Sequence, residues 1–354
     1  MQRDLLIKRT FLFILIIFIF SLTCHASLNG TDIFSDLEEK TKKLKEYLSF
    51  EYYINLFLSQ LPKAFSQISK SFYSCTFIII VSIIFSAIKE NLKVDLEIFN
   101  KISTSLLVLC LFSPTALCFE KASSHLSAMC AYMISFTPTA LLLHSFSGAT
   151  ITASFMSQSL PIAISILEFI CIFTVLPTLK CLFSLTAINS LIKKSNLEGL
   201  CDFLKGFCLW FSGLCFTLFT GIISLQNILG SSADNLTMKG LKYGASRFIP
   251  IAGGLVSESM KSVLESVSYL KSTTGIAGII FIIYTVIPPL CTVLIMKAFL
   301  WCLCFISKAT GQEEKAKLLS CYNSCYNLLL ALIIGCSTAF IIMFGVFMKT
   351  TVRI

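Results

Sequence analysis

Long apolar runs separated by short polar stretches dominate the sequence. A bilayer core of about 30 Å is crossed by about 20 helical residues. Seven segments read as candidate spans: 72–88, 102–119, 127–143, 160–179, 206–229, 275–296 and 327–348. Segment 127–143 is the weakest, because it carries Ser135, Thr137 and Pro138. The last-but-one run continues to residue 306. As one helix, residues 275–306 would be about 48 Å long, too much for one straight span and too little for two. Pro288-Pro289 lies inside it, and proline removes a backbone donor and crowds the preceding turn. We expect a helix broken or kinked there, with Lys297 near its inner end.

The N-terminal pattern differs. Arg3, Lys8 and Arg9 precede a short apolar core, and "CHA" at 24–26 supplies small residues. We read residues 1–26 as a secretory signal peptide, with an uncleaved anchor as the alternative. Residues 27–71 are mixed in polarity and are expected to form an extracytoplasmic helical segment. "SDLE" at 35–38 has the form of a capping box, and Leu37, Leu44 and Leu48 share a helical face. Residues 72–354 then form the multispan membrane domain.

Lys180, Lys193, Lys194 and Lys205 argue for a cytoplasmic 180–205 loop, and Lys308, Lys315 and Lys317 argue the same for 307–320. With the N-terminus outside, four spans before residue 180 would put that loop on the wrong side. A re-entrant 127–143 resolves the conflict and leaves residues 230–274 and the C-terminus outside. The expected fold is therefore all-α: a polytopic helical membrane protein of about six to seven hydrophobic helices, one re-entrant and one broken at proline.

Composition agrees with this picture. Hydrophobic residues make up 56% and charged residues 13%, against about 25% charged in soluble domains. The net charge of +9 comes largely from lysines beside the apolar runs. It therefore points to topology and the lipid surface, not to nucleic acid. Most of the sixteen cysteines sit inside apolar runs, where Cys is a small apolar side chain. With only His25, His125 and His144 beside them, no metal site is expected. We expect no cofactor and no catalysis: HExxH, a nucleophile elbow and a Walker A loop are all missing. Any ATP would be spent by another protein. Glu168 is the one acidic residue deep in a candidate span. Such a group faces a bundle interior or a wet cavity, as part of a solute or proton path or as a structural hydrogen bond.

The polar island 230–274 interrupts the apolar pattern. Within it "RFIPIAGGLVSES" (247–259) holds Arg247, Pro250, Gly253 and Gly254. Pro250 stops an ordinary helix, and the glycine pair allows a turn or close helix approach. An amphipathic helix should follow, with Val256, Met260, Val263, Leu264, Val267 and Leu270 as its stripe and Glu258, Lys261, Glu265 and Lys271 on other faces. Glu168, Arg247, Pro250, Gly253, Gly254, Pro288, Pro289 and Lys297 are the candidate pore, gate or partner-contact residues.

The order "SSADNLT", a basic-aromatic segment, "FIPIAGGLVSES", an amphipathic helix and "GIAGII" resembles the stage III sporulation protein AE family of endospore-forming bacteria. Residues 230–278 carry the most specific part of the resemblance, and the early spans match mainly in hydropathy. It implies a subunit of the channel or secretion-like assembly between mother cell and forespore, in the mother-cell membrane around the forespore. The partners it implies are the other stage III A proteins, a separate secretion-type ATPase, and stage II sporulation protein Q or its equivalent on the forespore side. The family has no established catalytic residues to carry over. A non-conducting scaffold and a stand-alone secondary transporter are the alternatives.

Overall fold

The computed structural model describes residues 50–88, 96–191, 197–248 and 253–349. The chain divides into two units at Tyr53/Ile54. Of the first, only residues 50–53 are described, where the Tyr52 and Tyr53 rings meet edge to face. The expected signal peptide and most of the 27–71 segment lie outside the described residues.

Among the described residues there is no strand. The helices are α1 (Phe50–Ile88), α2 (Leu96–Phe146), α3 (Thr150–Glu168), a π-helical segment (Phe169–Val175), α4 (Leu176–Leu191), α5 (Glu198–Phe248), α6 (Gly253–Ala309) and α7 (Glu313–Lys349). α3, the π segment and α4 form one continuous rod, so among the described residues six helices are long and apolar enough to cross a membrane. The chain is a polytopic all-α membrane protein, as the apolar pattern predicts.

Two expected irregularities are corrected. Segment 127–143 is not re-entrant: it continues the 102–119 segment within the 51 residues of α2, a rod about 76 Å long at 1.5 Å per residue. Its polar side chains fold back on their own helix. The Ser135 hydroxyl donates to Ala131 O at 2.8 Å, and that of Thr137 to Met133 O at 3.1 Å. α6 likewise runs unbroken through Pro288-Pro289. Thr292 Oγ1 donates to Pro288 O at 2.9 Å, and His125 faces the Thr285 backbone, whose carbonyl has lost its helical donor at Pro289. Neighbouring side chains of this kind let proline sit inside a membrane helix.

The fusion inside α2 also changes how the loop conflict is resolved. Three crossings, not four, now precede residue 192. Glu198 and Lys317 form an ion pair, so the lysine-rich 180–205 and 307–320 segments share one end of the bundle, as their charge suggests. A tight turn at 147–149 closes the opposite end. Gly148 takes φ 75° there, a left-handed conformation suited to glycine, and Ala149 N–H reaches His144 O at 2.9 Å.

The π segment has a local cause. Pro177 has no N–H to offer the carbonyl of Phe173. The turn before it widens, and Leu176 N–H reaches back five residues to Cys171 O.

α7 is the hub, packing on α2, α4, α5 and α6. Its buried face carries Tyr326, Phe340, Phe344 and Phe347. Phe340 meets Phe219 of α5 at 5.5 Å, and Phe344 meets Phe136 of α2 at 4.9 Å. α5 turns Phe203, Trp210, Leu218 and Leu225 outward, which is the normal state of a lipid-facing side. α1 touches the bundle through single side chains. Phe72 packs on Phe299 of α6 at 4.9 Å, and the Lys121 ammonium of α2 donates to Gln67 Oε1.

Candidate functional site

At the turn end, three helices bring ionisable groups into the interior, and two more close around them. α3 begins without a capping side chain, because Ala149 stands at its cap position. Its first amides would be left without partners. Asp234, 82 to 83 residues further on in α5, supplies the missing acceptor. Its Oδ1 accepts from Ile151 N at 2.8 Å, and its Oδ2 accepts from Thr152 N at 3.0 Å and Thr152 Oγ1 at 2.6 Å. A carboxylate at a helix N-terminus also meets the positive end of the helix dipole. Asp234 is 1% exposed.

Gly230, one turn before Asp234, allows this approach. A Cβ there would lie 2.5 Å from Thr152 Oγ1 and 2.8 Å from Thr152 Cα.

Lys271 of α6 is fully buried beside this cap, in the electrostatic field of Asp234. Its ammonium donates to His144 Nδ1 at 3.0 Å and to Ser147 Oγ at 3.3 Å. Ser147 Oγ itself donates to His144 O at 2.8 Å. Since His144 Nδ1 accepts, its proton sits on Nε2, a buried atom with no hydrogen-bond partner. Phe347 of α7 closes the group: its ring centroid lies 5.1 Å from that of His144 and 5.7 Å from the Lys271 ammonium. Asp234, Lys271 and His144 thus place an acid, a base and an imidazole together in the interior of this end of the bundle. Buried charges persist only when paired.

Two smaller polar contacts lie along α2. Lys121 also donates to Thr292 Oγ1 at 2.9 Å, just past the proline pair. His125 Nε2 lies 3.2 Å from Ser337 Oγ of α7. A surface concavity of about 580 Å³ opens at the other end. Four of its charges pair off, Lys317 with Glu198 and Lys205 with Asp202 at 3.2 Å. Among the described residues no group of His, Cys, Asp and Glu could hold a metal ion.

The candidate residues read from the sequence do not assemble into one place. Glu168 is half-buried at the end of α3, outside the Asp234 cluster. Pro288 and Pro289 lie inside α6, and Lys297 donates to Asn327 Oδ1 of α7. Gly253 and Gly254 open α6, and Arg247 lies in the last turn of α5. The Arg247 side chain and Pro250 are outside the described residues.

Sequence reasoning missed Asp234, Lys271, His144 and Thr152 as a group. Lys271 was expected on a face other than the apolar stripe of an amphipathic helix, yet it is buried while Val263 and Leu270 of that stripe are exposed. Of that stripe, Val267 is buried. In lipid the apolar face can point outward and the polar residue inward. One signal was present: Asp234 is the acidic residue of the conspicuous "SSADNLT".

Comparison with known proteins places this arrangement. The family described as Stage III sporulation protein AE matches residues 32–351. Stage III sporulation protein AE of Bacillus subtilis (strain 168) is 22% identical over 162 residues, 46% of this chain and 41% of its own length. The aligned part thus spans about two fifths of that curated relative. No solved structure matches the chain. The island holding Asp234 and Lys271 lies within the matched range, and the chain belongs to the stage III sporulation protein AE family.

Proposed function

We propose that this chain is a permease-like or export-gate-like membrane subunit of the assembly joining mother cell and forespore. It sits in the mother-cell membrane around the forespore. Its partners in this reading are the other stage III A proteins, a separate secretion-type ATPase, and stage II sporulation protein Q or its equivalent. The observation that carries the reading is the fully buried Lys271, held by His144 and Ser147 near Asp234. A static anchor gains little from desolvating charge, whereas a moving or conducting element uses it.

The test replaces Asp234 by Asn and Lys271 by Met in a spore-forming host. Heat-resistant spores are counted, and the partner proteins are co-isolated from membranes containing normal amounts of the chain. Loss of spores with the assembly intact is the expected result. Loss of the assembly itself would favour a non-conducting scaffold. Solute uptake by the purified chain alone in liposomes would favour a stand-alone transporter.

A further inference from the structure

The turn between α6 and α7 holds a second buried ammonium. Lys315, in the first turn of α7, is 2% exposed. Its Nζ donates to Gln312 Oε1 at 2.9 Å. Among the described residues no carboxylate forms an ion pair with it, and Glu314, its neighbour in sequence, acts on it only through its field. Lys271 at the opposite end differs, with His144, Ser147 and Asp234 gathered round it. Two more polar atoms of the α6–α7 turn are buried without a hydrogen-bond partner: Ser307 Oγ and Gln312 Nε2. Gln312 links the three residues, since its own N–H donates to Ser307 O at 2.8 Å. Ser307 is fully buried, and its hydroxyl departs from the habit of helical hydroxyls in this chain. That of Thr310, in the same turn, donates to Ile306 O at 2.8 Å. That of Ser307 makes no such bond to its own helix.

An ammonium taken out of water needs a counter-charge. The groups that share its turn can all donate: the ammonium has three N–H bonds and gives one to Gln312, the Gln312 amide keeps its NH₂, and Ser307 keeps its O–H. A cation among donors fits a ligand with negative charge and several acceptor oxygens. The positive end of the α7 dipole lies at the same place. Glu313 and Glu314 are exposed, so water and salt screen their charge. We infer that the α6–α7 turn is a binding site for a phosphate group, with Lys315 as its counter-charge and Gln312 and Ser307 as further donors. The surroundings favour phosphate over a carboxylate. Trp301 and Phe305, within two turns of Ser307 on α6, are both 66% exposed, and Lys308 beside it is exposed too. Exposed aromatic rings and lysines gather at the level of lipid headgroups, where phosphate is the abundant anion. The group is that of a phospholipid or a free phosphate, which present the same oxygens. The site goes beyond the channel reading and does not depend on it.

Two probes test the site on the full chain, purified in detergent and freed of phospholipid. Radiolabelled inorganic phosphate is followed by equilibrium dialysis at fixed ionic strength, and added phosphatidylglycerol by native mass spectrometry. One probe molecule per chain should bind saturably. Lys315→Met should weaken that binding by about tenfold or more, the loss of a charged hydrogen bond. Ser307→Ala, which removes a donor but no charge and keeps the fold, should weaken it by about three- to tenfold. Lys308→Met removes an exposed lysine of the same turn and should leave it unchanged. Tighter binding of phosphatidylglycerol than of inorganic phosphate assigns the site to a lipid headgroup, and the reverse order assigns it to free phosphate. The proposal is overturned if neither probe binds saturably, or if Ser307→Ala and Lys315→Met both bind as tightly as the parent chain. It is also overturned if Lys308→Met loses as much as Lys315→Met, because the binding would then be diffuse surface charge. Spores are not counted in any arm, so failure here leaves the channel reading standing.

Discussion

At the scale of single residues, the cluster at the α2–α3 turn sets sharp expectations. Asp234 accepts three hydrogen bonds from α3 and sits in the field of Lys271. Asp234→Ala should cost about 3–5 kcal/mol, because it leaves a buried ammonium and two helix amides uncompensated. The double variant Asp234→Asn/Lys271→Met should cost less than the sum of its single changes, since it removes both charges together. A double-mutant cycle on unfolding of the purified protein measures that coupling. Glycines offer a cleaner contrast. Gly230→Ala drives a methyl into the Thr152 backbone, whereas a Cβ at Gly213 of the same helix has nothing within 4 Å. The first should destabilise by about 1–3 kcal/mol and the second by well under that, apart from helix propensity. Thermal unfolding in one detergent compares them.

At the scale of elements, α1 has few polar contacts with the bundle: Lys121 donates to Gln67, and the Cys291 thiol of α6 donates to Phe57 O at 3.9 Å. Lys121→Met should loosen α1 and unmask Cys75, a fully buried thiol on its inner face. Charged hydrogen bonds contribute about 1.5–3 kcal/mol, so the rate of Cys75 alkylation should rise by about tenfold or more. An unchanged rate would mean that α1 is fixed by apolar packing instead. The helices themselves were largely legible in the sequence, because lipid demands about 20 apolar residues and satisfied backbone groups. Their continuity was not. Ser135 and Thr137 made 127–143 look too polar to span, but their hydroxyls bond their own helix and hide that polarity. Pro288-Pro289 looked like a break because compensation for the freed Thr285 carbonyl comes from His125, which belongs to another helix. The Asp234–Thr152 contact was equally out of reach, since nothing local links two residues 82 positions apart.

At the scale of the whole molecule, burial is graded outward from α7. Phe340→Ala removes a fully buried ring from the hub and should cost about 3–5 kcal/mol. Phe203→Ala removes an exposed one from the lipid side of α5 and should leave the unfolding temperature of the purified chain nearly unchanged. The cap on α3 has a further consequence, which concerns time. The chain is made from its N-terminus, so Thr152 leaves the ribosome 82 residues before its acceptor. At about 5–20 residues per second that interval is roughly 4–16 s. Through all of it α3 is without the acceptor for its first amides. The first amides of α3 can therefore be capped only after α5 has arrived, which makes this corner of the protein a late one to complete in its own assembly.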